Sequence, residues 1–294
     1  MVRKAVLAAL VAVCLAIPAV AQLANDYLDV FIVKVKPEKQ ADFEALARKL
    51  ADANRKNGDR WLALETVYGD NTTVEFISHR ASYADIDKAQ DVFMGALNKA
   101  YGKDMSQKML NDWNNYVSGS RSELRKRRWD LSRKPPADDA AWAKTVGESR
   151  VLRTTAVHIK PGHGPEFEAL LKEVKEAGEK SEKASPLLVS QGLEGTRGST
   201  YYVTSLRTGL AGFDDNPTAK EILGDELYKK YVQGISDHVE GSESMILRYS
   251  AGLSSPPDTI VAVAPDFWNP KPVVAAKAAK PKPPMEPAAQ KQKQ

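Results

Sequence analysis

Val33-Lys34-Val35-Lys36-Pro37 returns 124 residues later as Val157-His158-Ile159-Lys160-Pro161, and Phe43-Glu44-Ala45-Leu46 returns at the same distance as Phe167-Glu168-Ala169-Leu170. Two matches sharing one offset point to a duplication, and a duplicated chain folds as two copies of one unit. With small insertions the register continues. Thr73-Val74-Glu75-Phe76-Ile77-Ser78-His79-Arg80 lies against Thr200-Tyr201-Tyr202-Val203-Thr204-Ser205-Leu206-Arg207, and Gly119-Ser120 and Leu131-Ser132 answer Gly241-Ser242 and Leu253-Ser254. The pairs Pro135-Pro136 and Pro256-Pro257 follow each copy. These matches place a first unit at 22–134, a linker at 135–148 and a second unit at 149–258, each unit the size of a small domain.

Periodicities occur in the same order in both units. Tyr27 to Val35 and Val151 to Ile159 carry the β-branched and aromatic residues of a strand. Phe43, Leu46 and Leu50, and then Phe167, Leu170, Leu171 and Val174, recur at helical spacing. Leu62 to Tyr68 and Thr73 to Arg80 read as a hairpin around Gly69-Asp70-Asn71, with Leu187 to Gly192 and Thr200 to Arg207 as its counterpart. A longer helical stretch follows in each unit, Val92 to Tyr116 and Ala219 to Val239, interrupted near Gly102 and Gly224. Ser122 to Leu131 and Ser242 to Tyr249 supply the last strands. The order is β-α-β-β-α-β, the ferredoxin-like split unit.

Such a unit covers one sheet face with its helices and leaves the other in need of a partner. The predicted fold class is therefore α+β, with two tandem units packed sheet to sheet as an intrachain pseudo-dimeric barrel. Element order, the strand-Lys-Pro turn entering a Phe-Glu-Ala-Leu helix, and the duplication together resemble the dimeric α+β barrel superfamily, which includes antibiotic-biosynthesis monooxygenase-like and NIPSNAP-like domains. That resemblance implies a barrel cavity used for a small ligand, for haem or for an oxygenation reaction. No cofactor follows from the residues themselves; haem would require an axial ligand, for which His158 is the candidate. Fold likeness does not carry function with it.

The ends carry their own signals. Arg3 and Lys4, the apolar run Ala5 to Ile17, then Pro18 and Ala19-Val20-Ala21 form the pattern of a secretory signal peptide cut after residue 21. This predicts an exported protein, periplasmic or extracellular. The apolar run is shorter than the roughly 20 residues a membrane-spanning helix needs. Cys14 is the only cysteine, so the mature chain has no disulfide, thiolate metal site or cysteine nucleophile. Residues 259–294 turn into a Pro, Ala and Lys mixture, read as a disordered tail whose basic charge suits an anionic envelope surface.

The formal net charge is +4. Residues 1–21 carry +2 and 265–294 carry +4, which leaves the body at −2. A body so nearly neutral gives no electrostatic reason for nucleic-acid binding.

Since side chains alternate across a strand, Val33, Val35, Val157 and Ile159 are assigned to the helix side, leaving Lys34 and His158 on the opposite face. By the same parity Glu75, Ile77 and His79 share that face with Tyr202, Thr204 and Leu206. Lys34, Glu75, His79, His158 and Tyr202 are the candidate ligand-binding residues, suited to an anionic or aromatic ligand, with His79 or His158 able to act as a base. The competing reading is a set of mutually hydrogen-bonded residues on a half-exposed sheet.

Other patterns are weaker. His158 and His163 flank a turn, and Asp237-His238 stands near Glu240, without the paired spacing of a zinc site. Gly192 to Gly198 lies between strands, where a phosphate loop should lead into a helix. Arg125-Lys126-Arg127-Arg128-Trp129 falls in a predicted strand and reads as a guarded sheet edge, or else as an attractor of anions. Three functional classes remain: an exported envelope protein binding a small ligand between its two units, a cofactor-independent monooxygenase-like enzyme, and a protein-protein interaction module.

Overall fold

The computed structural model describes residues 26–270, so the signal-peptide segment and residues 271–294 lie outside the described residues. The first half consists of β1 (Tyr27–Val35), α1 (Gln40–Asn57), β2 (Leu62–Tyr68), β3 (Thr73–Arg80), α2 (Tyr83–Tyr101), α3 (Lys103–Tyr116) and β4 (Val117–Arg127). After α4 (Asp139–Glu148) the second half repeats the order with β5 (Val151–Ile159), α5 (Gly164–Lys180), β6 (Leu188–Glu194), β7 (Ser199–Arg207), α6 (Ala219–His238) and β8 (Val239–Tyr249). Two short helices follow, α7 (Asp258–Val263) and α8 (Pro265–Trp268).

Strand parity sorts the core as the sequence predicts. Val33 and Val35 are fully buried against Phe43 and Ala47 of α1, while Val30 and Ile32 face the other way, onto Ile77 of β3. Val157 and Ile159 pack in the same manner on Phe167 of α5. Between α2 and α3 the chain passes through Gly102 at φ +80°, and α6 is kinked at Gly224 at φ +72°. Both sites are left-handed, where glycine alone is free of Cβ strain.

Among the described residues, eight strands close into one barrel in the order β1-β3-β2-β8-β5-β7-β6-β4, every neighbour antiparallel. The joints between halves are edge pairings: Leu64↔Tyr249 and Glu65↔Arg248 on one side, Arg125↔Gly192 and Lys126↔Gln191 on the other. Closure pairs the strand edges of the two halves with one another within one chain.

Three sequence readings are corrected. The basic segment Arg125 to Trp129 is not an edge: β4 pairs with both β1 and β6, and Arg125 and Arg127 are buried inside the barrel. Arg125 and Arg127 point inward because β4 alternates, and Glu123 and Asp26 meet them there, while Arg128 pairs outside with Glu168 of α5. The segment 135–148 contains a helix, α4, capped by Asp138, whose side chain accepts from the Ala141 N–H. Residues 259–270 are ordered as well, because Ile260 and Trp268 give this part of the tail an apolar anchor. Trp268 is fully buried and its Nε1 donates to the Gly147 carbonyl at 2.9 Å. With Ala143, Val146, Leu152 and Leu247 these residues form a cluster that closes one end of the barrel.

Candidate functional site

The barrel interior carries an unusual load of charge, nearly all from the first half. Glu123 and Arg125 of β4 point inward. Glu123 Oε2 accepts from Arg125 Nε at 2.9 Å and Nη2 at 2.6 Å, and from the Tyr202 hydroxyl at 2.8 Å. Its other oxygen lies 3.1 Å from Arg121. The Arg125 guanidinium stacks 3.6 Å from the centre of the Tyr202 ring, a cation–π geometry in a desolvated setting. Glu75 lies beside this group. Burial pushes its carboxyl up, Arg125 opposes that, and the neighbouring Glu123 adds to it.

Nearer the closed end, His79 is held from both sides. Its Nδ1 is 2.5 Å from Asp26 Oδ2 and its Nε2 is 2.6 Å from Arg127 Nη2. A guanidinium can only donate, so Nε2 bears the lone pair and Nδ1 the proton given to Asp26. Although about a third of the side chain meets solvent, enclosure of the ring lowers the His79 pKa, with Arg127 adding to the effect and Asp26 resisting it. Burial likewise pulls Arg127 down, to about 10, against the pull of Asp26. Trp142 of α4 covers the pair, its ring centre 4.1 Å from the Arg127 guanidinium.

The structure thus joins Glu75 and Tyr202 around Arg125, sets His79 four residues further along β3, and separates Lys34 and His158 from all three. Lys34 pairs with Asp70 at 2.8 Å in the exposed β2–β3 turn. The His158 Nδ1 meets Thr200 Oγ1 at 2.9 Å. Both stand at the barrel end away from Trp142. His163 and His238 come together with their Nδ1 atoms 3.0 Å apart. Asp26 and Glu123 are absent from the sequence reading, and Arg125 and Arg127 enter it only as part of a basic run read as an edge or an attractor of anions. The available signal was that Arg121, Glu123, Arg125 and Arg127 put charge on every second residue, one strand face.

These side chains fill the space between the two halves, where a cavity of only about 80 Å³ remains, room for a few waters. The ligand space expected there lies on the other face of the first sheet. A cleft of about 570 Å³ opens between that sheet and α1, α2 and α3. Phe31 and Phe76 form its floor, Phe93 and Trp113 its roof, and Trp61 one wall. The rings are mutually supporting: Phe76 to Trp113 is 5.7 Å, Trp61 to Phe93 6.0 Å and Phe31 to Trp113 6.5 Å between centres. Parity explains the omission, because Phe31 and Phe76 belong to the helix-facing set, which sequence reading assigns to the core.

One end of this cleft is polar. Arg80 makes a bidentate pair with Asp59, at 2.6 and 2.7 Å, and its Nε lies 3.5 Å from Asp29. Burial would lower the Arg80 pKa, but Asp59 and Asp29 outweigh it and raise it. Ser78, Gln90, Asn114, Ser120 and Ser122 complete the polar lining. Such a site can stack a planar ring and hydrogen-bond its edge.

A closed antiparallel barrel of two β-α-β-β-α-β halves, each with helices outside, is the dimeric α+β barrel, here made within one chain. No family model matches the sequence, and no curated protein matches it. Among solved structures the chain is similar to an anthrone oxidase-like protein at 14% identity and TM-score 0.48, covering 78% of this chain and 92% of that one. It is also similar to a heme-binding protein from Thermus thermophilus at 12% identity and TM-score 0.45, over 79% and 94% of the two chains. The chlorite dismutase of Candidatus Nitrospira defluvii is similar at 11% and TM-score 0.42, over 83% and 96%. These are likenesses of fold. Neither of these two spaces fits a haem: no histidine, cysteine or methionine lines the 570 Å³ cleft, both nitrogens of His79 are engaged, and the interior beside it is far too small.

Proposed function

We propose that this protein binds a small, planar, largely apolar molecule in the cleft beneath α1, α2 and α3, with a polar edge of the ligand directed at the Asp29, Arg80 and Asp59 end. The observation that carries the reading is the 570 Å³ volume walled by five aromatic rings with polar groups gathered at one end. Its size and its mixture of apolar walls with a few convergent polar groups are those of small-molecule sites. Titration with 1-naphthol, followed by quenching of Trp61 and Trp113 fluorescence, should saturate. Ala89→Trp places a bulky ring among the lining residues and should abolish that saturation while the far-ultraviolet spectrum is retained. Quenching that is unsaturable, or unchanged in Ala89→Trp, would sink the proposal.

A cofactor-independent oxygenase is the second reading, and Asp29 is the residue that favours it. Asp59 is tied up in a bidentate pair, whereas Asp29 touches Arg80 only at 3.5 Å and borders the aromatic space. Its carboxylate is the group available to take a proton from a phenolic ligand. Oxygen uptake in the presence of candidate phenols, abolished by Asp29→Asn, would separate an enzyme from a binding protein. Export belongs to the same proposal and is supported by the N-terminal pattern; fractionation of the native host, with the N-terminus of the isolated protein sequenced, tests it.

A further inference from the structure

The second half has its own cleft, of about 300 Å³, between its sheet and α5 and α6. Val174, Leu187, Val203, Ile222, Leu223 and Tyr231 supply apolar lining, and three arginines enter the same space: Arg133, Arg153 and Arg207. Among the described residues no carboxylate pairs with any of the three. Arg80, Arg125, Arg127 and Arg128, by contrast, each have a carboxylate oxygen within 3.2 Å.

The partners the three do have are neutral. Arg207 donates to the carbonyls of Gly212 and Leu206 and to Asn216 Oδ1, at 2.8 to 2.9 Å. Arg133 Nε donates to the Ser185 carbonyl at 3.0 Å. Arg153 is exposed and has the Phe213 ring as its contact, 4.5 Å from guanidinium to ring centre, while Arg207 sits 5.4 Å from that same ring. Burial lowers the pKa of Arg133 and of Arg207, and in each case a neighbouring arginine adds to the effect, Arg207 on the first and Arg153 on the second. Like charges gathered beside an apolar pocket without counterions disfavour one another, and an arriving anion relieves that repulsion.

We infer that this second cleft is a binding site for a small amphipathic anion, with a carboxylate or phosphate held by Arg153 and Arg207 and an apolar body lying against Val203, Leu187 and Ile222. Arginine suits the headgroup because its planar fork pairs with both oxygens of such a group. The site is separate from the aromatic cleft, on the other half of the barrel, so either can exist without the other.

Calorimetric titration of the full chain at low salt tests this with octanoate, octyl phosphate, octanol and inorganic phosphate. Octanoate or octyl phosphate should bind, octanol should bind at least about tenfold more weakly, and affinity should fall as salt is added. Whichever of the two anions binds more tightly names the headgroup. Arg153→Gln removes one guanidinium that makes no structural hydrogen bond and should weaken anion binding about tenfold. Arg207→Lys, which keeps the charge and loses the fork, provides a second variant and should weaken it as well. Octanol binding as tightly as octanoate, or Arg153→Gln binding the anions unchanged, would overturn the inference. So would inorganic phosphate binding as tightly as octyl phosphate, since the apolar lining would then contribute nothing.

Discussion

The two clefts occupy corresponding places on the two halves of one barrel, yet their linings are chemically opposed. Phe31 and Phe76 of the first correspond to Thr155 and Val203 of the second, and Trp61 to Leu187. Arg80 and Arg207 end equivalent strands, but Asp29 and Asp59 beside the former are replaced by Arg153 and Ser185 beside the latter. Exchange of one acid for a base and of the other for a neutral serine therefore converts a neutralised arginine into part of a cationic cluster. A shared backbone frame decides where a cleft opens, and a few side chains decide what charge it presents.

The largest test of this contrast is Asp59→Ala. It strands Arg80 in a half-enclosed site and should cost about 3 kcal/mol in urea denaturation, the scale of a broken buried pair. Ser185→Ala at the matching place removes no charge partner and should stay within about 1 kcal/mol. Equal losses would mean that the two arginines are not differently compensated. Next in size, Arg153→Asp copies Asp29 into the second half. Anion affinity should drop by more than about tenfold, without a fall in thermal midpoint, because Arg207 gains the carboxylate it lacks.

Gly102→Ala and Gly224→Ala probe the frame itself. Each glycine has a positive φ and open space around the position of a Cβ, so the cost is backbone strain alone, about 1 kcal/mol for each. A pair of clearly unequal values would break the equivalence of the halves at their helix joints.

The smallest expected effect concerns His79, whose counterpart is Leu206. The pKa of His79 is lowered in the folded chain, so the unfolded chain takes up a proton first as the pH falls. The stability contributed by neutral His79 is present above the unfolded value, about 6.5, and is lost below it. His79→Leu should flatten that part of the stability profile, just below about pH 6.5, measured by denaturation at a series of pH values. An unchanged slope would show that the ring is already solvated.

Much of the fold was legible because periodicity and turns are local. The spans of β1, β2, β3 and β5 agree with their predicted limits, and the breaks at Gly102 and Gly224 fall where glycine was flagged. The last strands begin earlier than Ser122 and Ser242, at Val117 and Val239, because polar Ser and Gly residues there are carried by pairing with β1 and β5 rather than by their own propensity. The site was less legible. Parity placed Glu75, His79 and Tyr202 on a common face, and they do face inward, but parity says nothing about how much space long side chains leave. Arg125 and Arg127 fill that interior, and the large cleft opens on the aromatic face that reads as ordinary core.

By itself the sequence determined the order of the elements and the face on which each strand residue stands, since both follow from neighbours a few residues apart. Only the tertiary structure decided that β2 joins β8 and β4 joins β6, that Arg125 and Arg127 are buried inside the barrel, and that the largest open space described lies beneath the helices. Those outcomes depend on contacts between residues far apart in the chain and on volumes left over after packing, quantities that no local pattern encodes.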